Sequence, residues 1–357
     1  MIDTELKIDI QLTENSRRSE IDINNVPFGR VFSDHMFIAE YNNKEWLNPK
    51  IIPYQKLLIN PASHGLNYGQ GLFEGMKAYK SPSGEPQLFR PLDNHKRLCK
   101  TAKRLCMPEI PEDLFMSALN ELVGLDKDWI PDQEGSALYI RPLYFGDDDY
   151  IGVKPSNKFK FIILTCPVGP YYAEPVNVLV STKYVRAFRG GVGEYKVSGN
   201  YAPTLLPAKE ANEKGYHNML WMNAENPKLL EEIGTMNVFV VIGDEVITPA
   251  LNGNILEGIT RNSVIQLLKD REYKVSERDL SIDEVAEAYH NGNLKEAFGT
   301  GTAASITHIA KVGYNDKDII LPSIEDRPIS NMLADLLCKI KTSREPDPHG
   351  WVYKIPV

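Results

Sequence analysis

The chain has 357 residues, and 40 Lys+Arg against 48 Asp+Glu leave a formal net charge of −8. An apolar share of 42% with 25% charged residues is that of a chain able to bury a core, which excludes wholesale disorder. The acidic balance gives no electrostatic footprint for nucleic acid, and no apolar run approaches the roughly 18 residues of a membrane-spanning helix. The length suggests about two domains. The opening MIDTELKIDIQLTENSRRSE mixes acids with apolar residues and matches neither a secretory nor a mitochondrial leader, so a cytoplasmic protein is expected. The four cysteines, Cys99, Cys106, Cys166 and Cys338, form no CxxC pair and read as buried free thiols.

Near the start, ELKIDIQL alternates apolar and polar residues and predicts a half-buried strand. HMFIAEY followed by NNKEW predicts a hairpin arm and its turn. From Asp93 to Cys106 the spacing places Leu98, Ala102 and Leu105 on one helical face with the cations on solvated ones, and Pro108 limits the helix. PEDLFMSALNELVGLD predicts a second helix entered through Pro111. SALYIRPLYFG and KFKFIILTCPV read as strands, and the segment 167–176, rich in Pro and Gly, as an interdomain linker. VNVLVSTKYVRAF then opens a second strand-rich region. NVFVVIGDEVITPA predicts a hairpin about Gly243-Asp244, and GITRNSVIQLLKDR a helix with Val264, Leu267 and Leu268 aligned. Strands and helices mix without a regular βαβ repeat, which favours two α+β lobes, with domains at 1–166 and 177–357.

Several segments carry chemistry. Gly299-x-Gly301-x-x-Ala304 has the form of a dinucleotide fingerprint, but too few residues follow it for paired βαβ halves; a narrower reading has Thr300, Thr302 and nearby amides holding one phosphate. Gly258 and Thr260 open a helix whose positive end offers a second phosphate cradle, with Thr260 as a cap. Lys196 stands among small residues in RGGVGEYKVSGNYAPT, and a lysine becomes a nucleophile only where its amine is neutral. Glu231 and Glu232 precede an apolar strand and read either as solvated acids or as a partner for a ligand nitrogen. The run Asp147–Asp149 lacks calcium-loop spacing and reads as an exposed turn. The seven histidines show no zinc-ligand spacing, so no metal is expected.

Taken together, GQGLFEGMKAYK, LFRPLDNHKRL, YIRPLYFG, GGVGEYKVSGNYAPT, EEIGTMNVFVV, LNGNILEGITR and FGTGTAA, in that order, resemble the branched-chain amino-acid aminotransferases, the class IV pyridoxal-phosphate enzymes. The likeness spans roughly Phe28 to Thr302. It implies the two-domain α+β fold of type IV, with a small N-terminal α/β domain and a larger C-terminal pseudo-barrel domain. It also implies transamination between Leu, Ile or Val and 2-oxoglutarate, and a homodimer. Lys196 would hold pyridoxal 5′-phosphate as a Schiff base, Tyr201 would hydrogen-bond its phenolic oxygen, and Glu232 would pair with its pyridine nitrogen. Arg97, Ile259, Thr260 and Thr302 would hold the phosphate, with Leu256 and Gly258 against the ring or its turn. Phe28, Tyr68, Phe73, Tyr139, Arg141 and Val153 would form the side-chain pocket, and Thr235 with the backbone of Ala303 the carboxylate end. Arg141 would either reach a distal carboxylate or brace Tyr68 or the partner subunit. Mammalian members carry a CxxC pair where this chain has Ala304 and Thr307, so no thiol switch is expected there.

Overall fold

The computed structural model describes residues 7–169, 174–303 and 305–356. In chain order the strands and helices are β1 (Asp9–Ile10), β2 (His35–Asn42), β3 (Glu45–Pro53), α1 (His64–Asn67), β4 (Gly71–Phe73), β5 (Met76–Lys80), β6 (Pro86–Phe89), α2 (Pro91–Arg104), α3 (Glu112–Leu125), β7 (Ala137–Gly146) and β8 (Phe159–Val168). They continue as β9 (Val176–Val180), α4 (Leu205–Glu213), β10 (Asn218–Met222), β11 (Leu230–Ile233), β12 (Met236–Ile242), β13 (Glu245–Thr248), α5 (Ile259–Lys269), β14 (Lys274–Glu277), α6 (Ile282–His290), β15 (Leu294–Gly301), β16 (Ser305–Tyr314), β17 (Lys317–Ile320), α7 (Pro328–Lys341) and β18 (Val352–Lys354).

The chain forms two compact units. The first holds the described residues up to 169 with Lys196–Ser198 and those from Cys338 onward; the second holds those from 174 to Tyr195 and Gly199–Leu337. This departs from the expected C-terminal domain of 177–357 in two places. Val197 bridges to Leu72, and β18 adds to the edge of the first sheet, so backbone pairing draws both segments into the first unit. In the expected linker, Pro167 and Val168 end β8 and Val176 begins β9, while residues 170–173 lie outside the described residues.

In the first unit the sheet runs β1-β3-β2-β8-β7-β5-β6-β18, with β4 beside β7. The β2–β3 turn places Asn43 and Lys44 at φ 50° and 67°, the positive values that a tight hairpin matching strand twist requires. Helices α2 and α3 cover one sheet face. Leu98 and Ala102 of α2 and Leu114, Phe115, Ala118 and Leu122 of α3 join Phe37, Ile140 and Phe161 in one core. Burying each such large side chain contributes about 1.5–3 kcal/mol. Of the expected N-terminal strand, Glu5 and Leu6 lie outside the described residues; the described part is the two exposed residues Asp9 and Ile10, which pair with β3 at the sheet edge.

In the second unit β11, β10, β9, β16, β15 and β12 close on themselves, since β11 pairs with β12 as well as β10. This is the expected pseudo-barrel. Val178, Leu220, Ile233, Val238, Val240, Ala297 and Ile309 fill it with α6 residues Ile282 and Val285. Helix α5 buries Val264, Leu267 and Leu268 on one face, as their spacing predicts. Among the described cysteines only Cys166 is fully buried; Cys99 and Cys338 are half-buried and Cys106 is exposed, so burial was overestimated.

Candidate active site

In the first unit, Lys196 sits half-buried just before Val197. Its backbone is anchored on both sides: its amide donates to Thr101 Oγ1 (3.2 Å), and its carbonyl accepts from the Phe73 amide (3.3 Å). Its Nζ lies 5.1 Å from the Phe73 ring centre, a cation–π distance that fixes the direction of the side chain. Arg141 lies against the same ring at 4.4 Å and donates through Nη2 to the Tyr139 hydroxyl (2.8 Å). Phe28 meets Tyr139 edge-on at 5.1 Å. Gly75 makes room for that hydroxyl, because a Cβ there would stand 2.4 Å from it. Phe28, Phe73, Tyr139 and Arg141 are thus one cluster beside Lys196. The observed contacts of Arg141 are with Phe73 and Tyr139 and not with Tyr68, the residue it was expected to brace.

Two pocket residues stand apart from this cluster. Tyr68 is half-exposed and packs against His64 at 5.3 Å, and Val153 is 90% exposed. His64 also faces Tyr150 and bonds the Gly152 carbonyl (2.8 Å), so Tyr68 belongs with the 150–153 loop. Arg97, expected on a solvated helix face, is buried instead. Its Nε and Nη2 clasp Glu74 at 2.7 and 2.8 Å, and Glu74 itself is fully buried. A bidentate pair of this kind satisfies the charge that burial would otherwise make costly. Thr101 donates to the Arg97 carbonyl one turn back, so the arginine and the Lys196 anchor share one helical segment.

In the second unit Glu231 and Glu232 are both buried, which overturns the reading of solvated acids. Alternation along β11 sends them to opposite faces. Glu231 Oε1 accepts from Asn223 and Asn254. Glu232 Oε1 accepts from the Leu256 amide (2.7 Å) and more weakly from Asn237 Nδ2 (3.5 Å), while Oε2 lies 3.2 Å from Arg186 Nε. Arg186 is itself fixed, since its Nη2 donates to the carbonyls of Gly193 and Asn254. Glu232, Arg186, Tyr195, Asn200, Tyr201, Thr235 and Leu256 line one small pocket. Asn200 tightens the loop before it, donating to the carbonyls of Val192 and Tyr195.

Helix α5 begins at Ile259 with Gly258 as its N-cap, so Thr260, buried within the first turn, is not the cap. Gly258 has φ −69°, and its need is space rather than a positive φ. A Cβ there would meet Asn237 Oδ1 at 1.9 Å. First-turn amides of a helix lack intrahelical acceptors and point along the positive end of its dipole. Thr302 and Ala303 lie half-buried in the turn between β15 and β16. Those strands pair antiparallel, which removes the dinucleotide reading of Gly299 and Gly301; Ala304 lies outside the described residues. Thr300 Oγ1 is buried without a partner among the described residues.

Sequence reasoning did not find Arg186, Glu74, Asn237, Asn254, Tyr195 or Asn200. Only Arg186 left a local signal, as a cation between apolar and aromatic residues in YVRAF, ten residues before Lys196. The acidic run is also corrected: Asp148 is buried and accepts from the amides of Asn157 and Lys158. No group of side chains suited to a metal occurs among the described residues.

Residues 71–312 match the family model described as Amino-transferase class IV, and the chain belongs to that family. Within it, the chain belongs with the branched-chain-amino-acid aminotransferases. It is 44% identical over 356 residues, 99% of this chain and 98% of the relative, to Branched-chain-amino-acid aminotransferase 2 of Bacillus subtilis (strain 168). It is 35% identical to the mitochondrial branched-chain-amino-acid aminotransferase of Mus musculus, over 98% of this chain and 91% of that one. The crystal structure of the Escherichia coli branched-chain amino acid aminotransferase superposes with TM-score 0.74 at 27% identity, covering 90% of this chain and 99% of that one. The T.th. branched-chain amino acid aminotransferase complexed with N-(5′-phosphopyridoxyl)-L-glutamate does so with TM-score 0.71 at 27% identity, over 89% and 98%. The family's cofactor is pyridoxal 5′-phosphate, and the side chains described above suit it. A buried carboxylate, a phenol beside it, a cradle at Gly258 closed to any Cβ and the buried Thr300 hydroxyl are the groups such a molecule requires.

Proposed function

We propose that the chain transfers amino groups between branched-chain L-amino acids and 2-oxoglutarate, with Lys196 as the residue bonded to the cofactor. When bound, pyridoxal 5′-phosphate supplies an electron sink for negative charge at the substrate α-carbon. The observation that carries the reading is the buried Glu232 carboxylate, held by Leu256 and Arg186 in one pocket with Tyr201 and Thr235. Glu232 keeps a proton at the pyridine nitrogen. Arg186 and the Leu256 amide fix the Glu232 carboxyl in the position that this pairing needs. Tyr201 donates to the phenolic oxygen. The first turn of α5, at Ile259 and Thr260, and Thr302 bind the phosphate, with Arg97 contributing positive charge.

The amine of Lys196 would take the proton from the substrate α-carbon and deliver it to the cofactor's C4′ carbon, acting as base and then acid. Thr235 and the Ala303 backbone receive the substrate carboxylate. Phe28, Phe73 and Tyr139 suit an aliphatic side chain by burial at about 25 cal/mol per Å². The Arg141 guanidinium, braced on Phe73 and Tyr139, suits the distal carboxylate of glutamate. Two half-reactions at one lysine give ping-pong kinetics. Val153 and Tyr68, exposed in this chain, fit a role at the pocket of a second copy, which supports a homodimer. The enzyme is placed in the cytoplasm as part of this reading; no described helix is long and apolar enough to cross a membrane. An amino-donor panel with 2-oxoglutarate tests the reading: Leu, Ile and Val should be the best donors, and a preference for D-alanine would overturn it.

A further inference from the structure

The β5–β6 hairpin, the loop entering β7 and the segment after α7 enclose a groove of about 320 Å³ in the first unit. It shares no lining residue with the Glu232 pocket. Its wall charges are balanced. Lys80 Nζ pairs with Asp132 Oδ1 at 2.5 Å, and Arg344 Nη1 with Glu134 Oε1 at 2.8 Å. Asp132 and Glu134 are 80% and 71% exposed, and ion pairs this open to water contribute little, so a ligand can exchange into them at small cost. A second observation points the same way. Ser136 lines the groove, is only 7% exposed, and its buried hydroxyl has no partner among the described residues. Such a hydroxyl is costly unless a ligand or water bonds it. Pro82 and Pro131 add apolar surface to the same walls.

A wall with two cations and two anions selects neither a simple anion nor a simple cation. It matches a molecule carrying both charges a few bonds apart. We propose that this groove binds a small aliphatic α-amino acid as its zwitterion. The carboxylate lies on the Arg344 fork and the Ser136 hydroxyl, the ammonium between Asp132 and Glu134, and the side chain against Pro82 and Pro131. Arg344 is already set for this by its own Nε, which donates to Thr342 Oγ1 (2.9 Å). The site is separate from the transaminating one and does not depend on the assignment of Lys196.

Calorimetric titration of the holoenzyme with α-methyl-L-leucine tests the proposal, because this probe keeps both charges and lacks the α-hydrogen that turnover removes. The isotherm should contain a component that weakens at least about tenfold in Arg344→Gln and in Ser136→Ala, with kcat and KM for leucine and the melting temperature unchanged. Ser136→Ala, a small change, keeps the test open if Arg344→Gln does not fold. Isotherms identical in Ser136→Ala and the parent, or a heat abolished entirely by saturating 2-oxoglutarate, would overturn the site. Loss of transamination alone would bear on the function proposed above and not on this groove.

Discussion

Replacing Gly258 by alanine should loosen the cofactor without unfolding the protein. The new Cβ would stand 1.9 Å from Asn237 Oδ1, about 1.5 Å inside ordinary contact. Asn237 cannot simply turn away, because its Nδ2 donates to the Leu256 carbonyl at 2.9 Å. Either that bond breaks, at about 1 kcal/mol, or the start of α5 shifts by a comparable distance. Overpacking of this kind costs about 1–3 kcal/mol, and a misplacement near 1 Å in a positioning group costs up to about 10²-fold in rate. Rates of cofactor loss on dialysis, read beside thermal melts, should show faster release for Gly258→Ala with a modest drop in melting temperature. Adding Asn237→Ala removes the colliding oxygen and should recover part of the retention, so the double-mutant cycle carries a favourable coupling. If Gly258→Ala retains cofactor as the parent does, the argument that close packing shapes a phosphate cradle here is wrong.

Glu232→Gln should lower kcat by roughly 10²–10³, the scale of losing one placed electrostatic group, and an unchanged kcat would mean another residue holds the pyridine proton. Arg97→Ala leaves the buried Glu74 carboxylate unpaired and should destabilise the fold by about 3–5 kcal/mol in denaturant titration, besides weakening cofactor retention; Arg97→Ala with Glu74→Gln should regain much of that stability. Burial and the nearby charge of Lys77 push Lys341 down to about 7, from 10.5 in water. Between those values the unfolded chain holds a proton that the folded one does not, so stability rises with pH across that window. Lys341→Met should therefore raise the melting temperature most at pH 7 and below, with the gain shrinking toward pH 10; a gain independent of pH would mean that the lysine's charge is not the cause.

Local patterns made much of the fold legible. The hairpin arm at β2, the α2 face at Leu98 and Ala102 and the aligned Val264, Leu267 and Leu268 of α5 each depend on neighbours within a few residues. At the candidate site, motif order singled out Tyr201 and Glu232, which line one pocket of the second unit. What stayed hidden depends on distant partners. Arg97 reads as a surface cation until Glu74, 23 residues earlier, is placed against it. Arg186 finds Glu232 across 46 residues, and nothing local forecasts that Asn237 and Asn254 would brace the two acids. The edge strand β18 escaped for the same reason, since its apolar pattern is short and its partner β6 lies more than 250 residues upstream.

Lys196 is the residue proposed to carry the cofactor, and a peptide map tests this directly. Holoenzyme treated with borohydride, digested and read by mass spectrometry should place one phosphopyridoxyl group on the peptide containing Lys196, and Lys196→Ala should carry none. The same group found on another lysine, or an unmodified Lys196 in cofactor-saturated protein, would contradict it.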